Sequence, residues 1–413
     1  MKILFISDNF PPEVNAPASR TYEHAKRWVA SGIDVTVITC APNFPEGRVH
    51  EGYRNAWRTV EIVNGIRVVR VKSYITSNAG FLRRILDYMS FMISAVFFGL
   101  FEKRPDIVVG TSPQFFAAVA AWLLSVFKWR PFVFELRDLW PASIVTVGAM
   151  KKGLVIRLLE KLELFLYRRA AVIIPVTESF KDDLVSRGIN SSKIQVVRNG
   201  VDLSRYVPRP RSEVLATELG VEGKFVVAYL GTHGMAHALD NVLNAAELLR
   251  DDENIVFLLV GDGAQKQNLL SQAAHMNLSN VVFHDVMPKE RMPELWSVSD
   301  VALVHLKDDP VFATVIPSKI FEAFGMGKPV MIVQPDGEAA DLVRDAGAGE
   351  WVAPEQPQAL AEAVRRWSVQ AATVYSYASN AERSAHQHSR DRLASEMASV
   401  LQDVSVQCQS SGR

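Results

Sequence analysis

The sequence predicts an α/β protein of two doubly wound domains, each a parallel sheet with helices on both faces. Three observations lead there. Short apolar, β-branched runs alternate with helical stretches from end to end, the pattern of strands buried on both faces. A charged, proline-containing stretch, DLSRYVPRPRSEV at 202–214, divides these runs into seven before it and five or six after it. Finally, 413 residues with 48% hydrophobic and 22% charged content suffice for two cores of ordinary size.

Along the first half, strands are expected at KILFIS, DVTVITC, IRVVRVK, DIVVG, FVFEL, AVIIPV and IQVVRN. The second half supplies FVVAYLG, IVFLLVG, VVFHDV, VALVHL and PVMIVQ, and the segment 371–405 reads as helices. Two segments imitate membrane spans. Residues 88–101 are uncharged but shorter than the ~20 residues a spanning helix needs. Residues 107–127 are interrupted by GTSPQ and read as a buried strand, a turn and an apolar helix. Cations frame both: Arg83 and Arg84, Lys103 and Arg104, Lys128 and Arg130. A further basic helix is expected at 151–169, with Lys151, Lys152, Arg157, Lys161, Arg168 and Arg169. Apolar helices framed by cations suit docking on an anionic membrane surface; packed core helices with solvated ends are the equal alternative.

The formal net charge is zero, yet residues 1–202 hold 27 Lys and Arg against 18 Asp and Glu, and residues 203–413 the reverse. The basic half is expected to meet something anionic, whether a membrane, a phosphorylated substrate or nucleic acid. No aromatic–basic motif of a nucleic-acid module appears, so no nucleic-acid partner is expected. Cys40 and Cys408 are the only cysteines. They exclude a disulfide framework and a Cys/His metal cluster, and they fit a reducing cytosol. The apolar start of the chain ends at Asp8, too early for a signal peptide.

Ligands of parallel sheets bind outside the carboxyl ends of the strands, so the strand-to-helix loops are where chemistry is sought. The first loop, SDNFPPEVNAPASR, lacks the G-x-G-x-x-G of a dinucleotide site, since the first glycine is Gly32. It offers Glu13, Asn15 and Arg20, with Ala16 and Ala18 small enough for a substrate to approach the backbone. FELRDLWPAS sets Glu135, Arg137 and Asp138 at a strand end, where charges are expensive to bury unless paired or used. YLGTHGMAH and LLVGDGAQ are glycine-bearing turns, each expected to open a helix whose first amides favour phosphate.

The stretch PSKIFEAFGMGKPV at 317–330 is the most informative. Pro317 places the helix start at Ser318, a good N-cap. Lys319 and Glu322 are then three apart and share a face. A cation at a helix start suits a diphosphate, and a carboxylate one turn on suits paired hydroxyls such as those of ribose. A surface Lys–Glu pair is the simpler reading, but Ile320, Phe321 and Phe324 around it indicate a buried helix.

VRNGVDLSRY, VGDGAQKQNLL, VVFHDVMPKERMPELWSVSDVALV and PSKIFEAFGMGKPV together resemble family 4 glycosyltransferases with the GT-B fold, over nearly the whole chain and in the right order. Within the family the sequence is similar to transferases of O-antigen and capsule clusters, of the L-fucosamine transferase type. The resemblance implies two Rossmann-like domains facing across a cleft: 1–205 for the acceptor, 206–370 for the nucleotide-sugar, and 371–413 crossing back to the first. It implies a nucleoside-diphosphate donor (UDP is expected), retention of anomeric configuration, no cofactor and no essential metal. Lys319 and Glu322 would hold the diphosphate and the ribose, assisted by Gly231, Thr232, His233 and Gly234. Ser318, Gly261 and Gly263 belong to the same donor loops, and the backbone from His284 to Met287 would hold the base. Ala16 and Arg20 would close over the leaving phosphates, Asp138 would lie near the reacting sugar, and Glu13, Asn15 and Arg137 are expected on the acceptor side. The acceptor implied is a polyprenyl-diphosphate-linked saccharide at the inner face of the cytoplasmic membrane.

Three features depart from the family pattern. Thr314 stands where the first glutamate of an E-x7-E pair would be, Thr232 and His233 replace an expected basic residue, and APA replaces an N-terminal glycine pair. A deoxy or N-acetylated donor sugar would account for Thr314. A sugar-nucleotide epimerase of the same fold, or a non-catalytic partner protein, is the alternative.

Overall fold

Seven strands make the first sheet: β1 (Lys2–Ile6), β2 (Asp34–Cys40), β3 (Arg58–Val63), β4 (Ile66–Val71), β5 (Ile107–Thr111), β6 (Phe132–Leu136) and β7 (Val172–Pro175). The computed structural model describes residues 1–411 apart from Val14, Pro45, 77–80 and 142–152. The strand order is β3-β4-β2-β1-β5-β6-β7, and every pairing is parallel except β3 with β4. The central strands are buried at nearly every residue because helices cover both faces, which is why their sequences run apolar without alternation. Helices α2 (Phe81–Leu100), α3 (Phe115–Lys128) and α4 (Leu154–Arg169) pack on one face; α1 (Ala16–Ala30) and the helix Arg390–Ser411 pack on the other. The basic helix expected at 151–169 therefore runs over Leu154–Arg169, and Lys151 and Lys152 lie outside the described residues.

Two strand expectations need correction. IQVVRN forms no strand. It follows β7 through two amides, Gln195 N to Ile173 O (3.0 Å) and Val197 N to Pro175 O (3.0 Å). The carbonyls of Val197 and Arg198 then turn to the Arg20 guanidinium, which ends any ladder. β3 was not expected, because RTVEIV is largely exposed and carries charges. Its signal was the Asn64-Gly65 pair, the favoured two-residue hairpin turn, between Val63 and Ile66.

The first compact unit is Met1–Arg198 together with Asp391–Arg413; the second is Asn199–Arg390. Leu393, Ala394, Met397, Leu401 and Val404 form the apolar stripe that seats the last helix on the first unit's core, and the buried Trp28 indole donates to Ala394 O at 2.8 Å. The charged stretch at 202–214 is no free linker: Tyr206 within it, and Val201 just before it, are core residues of the second unit. That unit's sheet has six parallel strands, β8 (Phe225–Leu230), β9 (Ile255–Val260), β10 (Val281–His284), β11 (Val301–His305), β12 (Val330–Val333) and β13 (Gly349–Val352), in the order β10-β9-β8-β11-β12-β13. The order reverses between β8 and β11, so the ligand crevice of a doubly wound fold opens at their carboxyl ends.

Because Leu401 is fully buried in the last helix, Leu401→Ala is expected to cost about 2–5 kcal/mol. Denaturant unfolding monitored by tryptophan fluorescence checks it; a loss below about 0.5 kcal/mol would mean that this helix contributes little to the first unit.

Candidate active site

The carboxyl ends of β10, β9, β8 and β11 open on one cavity of about 600 Å³ in the second unit. Gly231 and Thr232 follow β8, Gly261 and Asp262 follow β9, Val286 and Met287 follow β10, and Leu306 follows β11; all line it. Lys319 and Glu322 reach it from α5 (Lys319–Gly325), whose other side carries Ile320, Phe321 and Phe324 into the core. The helix is therefore held by its apolar face, and its two charged residues are presented together.

The Lys319 ammonium is the unusual group. Its Nζ is out of solvent, has no hydrogen-bond partner among the described residues, and lies 3.7 Å from the centre of the Tyr229 ring. The ring face offers partial compensation, worth about 2 kcal/mol or more for a desolvated cation. Burial pulls the amine down to about 7, with the Glu322 charge opposing it. A buried cation without an anion is costly, so it is a group set up for one. Three neutral imidazoles surround the same region. Burial, with the Lys319 charge added, lowers His233, His237 and His305 to about 4. His305 Nδ1 meets His237 O at 2.8 Å and its Nε2 meets Asn241 Nδ2 at 2.8 Å, which fixes the ring.

Glu322 accepts from the Trp296 indole at 3.5 Å and from the Tyr206 hydroxyl. Burial raises its pKa while these donors oppose the rise. Two glycines leave room for all of this. A Cβ on Gly231 (φ +147°) would come within 3.0 Å of Lys319 Nζ, and one on Gly261 (φ +155°) within 1.8 Å of Gly231 O. The β8 and β9 loops thus touch backbone to backbone, which only glycine allows.

Of the donor-side residues expected from sequence, Gly231, Thr232, Gly261, Met287, Ser318, Lys319 and Glu322 line this cavity. The others do not. His233 is fully buried behind the loop, with its ring edge-on to Phe283. His284 turns its Nδ1 to Asp285 O at 3.0 Å, and its carbonyl accepts from Gly261 N at 3.1 Å. Thr314 donates its hydroxyl to Val311 O at 2.8 Å, within its own turn. Gly234 and Gly263 belong to the loops behind the lining, where Gly263 packs against His233.

Two local expectations also change. Ser318 already has helical backbone angles and makes no capping bond through its side chain. The glycine turns do not open helices directly, since the α-helices begin only at Asp240 and Lys266. Their amides are mostly engaged: Gly231 N with Val260 O, His233 N with Asp262 O, Gly261 N with His284 O and Gly263 N with Asp262 Oδ1. Those of Thr232 and Gly234 have no partner among the described residues. Sequence reasoning missed Lys266, whose amine binds Gly261 O at 2.9 Å and Asp285 and so clamps the β9 turn. It also missed Asp262 and His237 in the lining; the sequence offered only their place after a strand.

In the first unit, residues 16–20 are the first turn of α1 rather than a loop. Arg20 is buried, with Nε 2.7 Å from Glu135 Oε1 and its terminal nitrogens on Val197 O and Arg198 O. Burial works against ionisation of Glu135, but the charges of Arg20 and Arg137 outweigh it and hold it low. Asn15 caps α1 through Ala18 N at 2.9 Å, and Glu13 accepts from the amides of Asn43 and Phe44. These side chains are committed to holding the loops. Arg137 donates to Ala16 O at 3.2 Å, and the amides of Arg137 and Asp138 both bind Ser112 Oγ. Sequence reasoning also passed over Asp8 at the end of β1. Burial and the neighbouring Asp87 raise its carboxyl to about 8.

Two family models cover most of the chain: Glycosyltransferase Family 4 over residues 18–205 and Glycosyl transferases group 1 over residues 213–384. The chain belongs to the family 4 glycosyltransferases of the GT-B type. It is 27% identical over 376 residues to the putative colanic acid biosynthesis glycosyl transferase WcaI of Escherichia coli, covering 89% of this chain and 92% of that one. It is 26% identical to the probable glycosyltransferase WbjE of Pseudomonas aeruginosa, over 63% of this chain and 66% of that one. Among solved structures it is similar to Anabaena HepE in complex with UDP and glucose, with a TM-score of 0.73 at 20% identity over 97% and 99% of the two chains. In this glycosyltransferase the second-unit cavity lies at the reversal point of the sheet.

The Lys319 amine has a pKa of about 7 in the folded protein against 10.5 in the unfolded chain. Between these values the unfolded chain binds the extra proton, so stability rises with pH there, and the full cost of burying the cation is present below about pH 7. Lys319→Met is therefore expected to raise the melting temperature at pH 6, with the gain shrinking towards pH 10. A variant that melts at or below the wild-type temperature at pH 6 would show that the cation is not a burden on the free protein.

Proposed function

We propose that this glycosyltransferase moves a sugar from UDP-sugar to a polyprenyl-diphosphate-linked saccharide with retention of anomeric configuration, during O-antigen or related lipopolysaccharide and capsule synthesis at the inner face of the cytoplasmic membrane. The observation that carries the donor half is the buried Lys319 ammonium beside Glu322 on the crevice of the second unit. HepE, with the same fold, binds UDP-glucose, and WcaI is named for colanic acid, a reading that suits a surface-polysaccharide acceptor here. The donor sugar is taken to be deoxy or N-acetylated, of the L-fucosamine kind, because Thr314 offers no carboxylate for sugar hydroxyls. Acceptor recognition and Asp138 belong to the first unit.

In the transfer, the bond from the anomeric carbon to the β-phosphate oxygen breaks and a bond to the acceptor oxygen forms on the same face. The acceptor proton passes to the departing phosphate oxygen, so no side chain has to serve as base. Charge accumulates on the diphosphate as the sugar becomes oxocarbenium-like. Lys319, already dehydrated and held by Tyr229, stabilises that charge without reorganising. Glu322 accepts from the ribose hydroxyls. With no metal invoked, the diphosphate rests on Lys319 and the amide of Thr232.

Two measurements test this. UDP is expected to raise the melting temperature without added metal, and Glu322→Ala to remove the shift. No shift with UDP or GDP would favour a non-catalytic protein of the same fold. Second, the diphosphate should restore the proton to Lys319, so UDP binding should take up close to one proton at pH 8 and almost none at pH 6. Calorimetry in buffers of different ionisation enthalpy reads this directly. Lys319→Met should abolish the uptake and lower kcat about a hundredfold or more; an unchanged kcat would sink the assigned role.

A further inference from the structure

Helix α2 is apolar on the side that faces solvent. Phe91, Ala95 and Gly99 point into the core, as a surface helix should. The opposite side, where charged residues are the rule, carries Leu86, Met89, Ile93, Phe97 and Leu100, all exposed and spaced by three or four residues, and Phe101 continues the stripe. Ile93 is 61% exposed and Phe101 72%. Phe97 and Phe101 pack edge to face at 5.4 Å, so they form one surface.

The stripe does not end with α2. Lys128 Nζ, at the end of α3, binds Leu100 O (3.2 Å) and Glu102 O (2.7 Å), and Arg104 Nε returns to Lys128 O (3.0 Å). These bonds tie the end of α3, where Phe127 and Trp129 are exposed, to the end of α2. Trp129 is 84% exposed and left-handed (φ +54°), at a helix end where glycine or asparagine is the usual occupant. A large ring accepts that strain here while burying almost nothing of itself. Trp122 against Phe165 (4.9 Å) joins α3 to α4, which exposes Leu154, Val155 and Leu158 beside Arg157 and Lys161.

Among the described residues, the exposed charges on α2, α4 and the turn after α2 are of one sign. Arg83, Lys103, Arg104, Arg157, Lys161, Arg168 and Arg169 are exposed. The nearby acids are largely committed: Glu102 to Arg58 and Arg67, Glu163 to Arg187, with Asp87 and Glu160 half-buried. Among the described residues no helix is long and apolar enough to cross a membrane.

We infer that the outer face of α2, with the ends of α3 and α4, docks on an anionic lipid bilayer, its apolar residues entering the headgroup boundary and its cations meeting lipid phosphates. An apolar field rimmed by cations, with an interfacial tryptophan, complements an anionic leaflet on both counts. A symmetric dimer through the same face would set basic rim against basic rim. The inference deepens the membrane side of the proposed function and rests on that reading only for its biological setting.

The test is co-sedimentation of the full chain with vesicles of phosphatidylcholine alone, or of phosphatidylcholine and phosphatidylglycerol in equal parts. The wild type should pellet with the mixed vesicles about tenfold or more tightly than with the neutral ones. Phe101→Ser with Trp129→Ser should weaken this about tenfold or more. Lys103→Gln with Arg157→Gln and Lys161→Gln should weaken it roughly fivefold per cation removed. Melting temperatures at the wild-type value establish that these variants fold, and UDP shifts equal to wild type separate vesicle binding from donor binding. Equal binding to both vesicle types, wild-type binding by the Phe101/Trp129 variant, or a dimer in light scattering that these substitutions dissociate with no vesicle binding, would each overturn the inference.

Discussion

The second unit is organised around one unneutralised ammonium. Lys319 is carried into the crevice because the opposite side of its short helix is anchored by Ile320, Phe321 and Phe324 in the core. Once there, its Nζ has an aromatic face and no hydrogen-bond partner among the described residues. The surroundings accommodate that rather than relieve it: the nearby imidazoles stay neutral, and Gly231 has no side chain to collide with the amine. Such a site gives up stability in the free protein for a field already in place when an anion arrives.

The loops that frame the cation depend on backbone contact. Gly261 lies against the Gly231 carbonyl so closely that any Cβ would collide, and Lys266 fastens the same turn from below by binding Gly261 O. The loop amides that a motif-level reading would aim at phosphate are mostly engaged between the loops themselves. The glycines therefore serve packing first, and Lys319 is the cation that lines the crevice.

The first unit uses charge differently. Arg20 and Glu135 are both buried and paired, and the arginine's remaining donors hold the carbonyls at Val197 and Arg198 where the chain leaves the first unit. The unmatched surface there is apolar and basic, on α2, α3 and α4. One chain thus holds its unpaired cation inside the second unit and presents its basic, apolar face on the first, in keeping with the charge split between the halves of the sequence.

The fold class, eleven of the twelve strands expected and the Lys319–Glu322 pair were legible in the sequence because each is local. Buried strands read as continuous apolar runs, and residues three apart on a helix share a face whatever surrounds it. IQVVRN looked like such a run and is not a strand, because Arg20, 178 residues away from Arg198, takes its carbonyls. Arg20, Asn15 and Glu13 drew attention as charged or polar loop residues, yet distant partners commit their side chains to holding the backbone. No periodicity could reveal that Lys319 meets Tyr229, that Gly231 touches Gly261, or that both sides of α2 are apolar but only one is covered. Sequence determines what a segment can present; which group meets it across the sheet, and so whether a charge is paired or poised, is decided by tertiary packing alone.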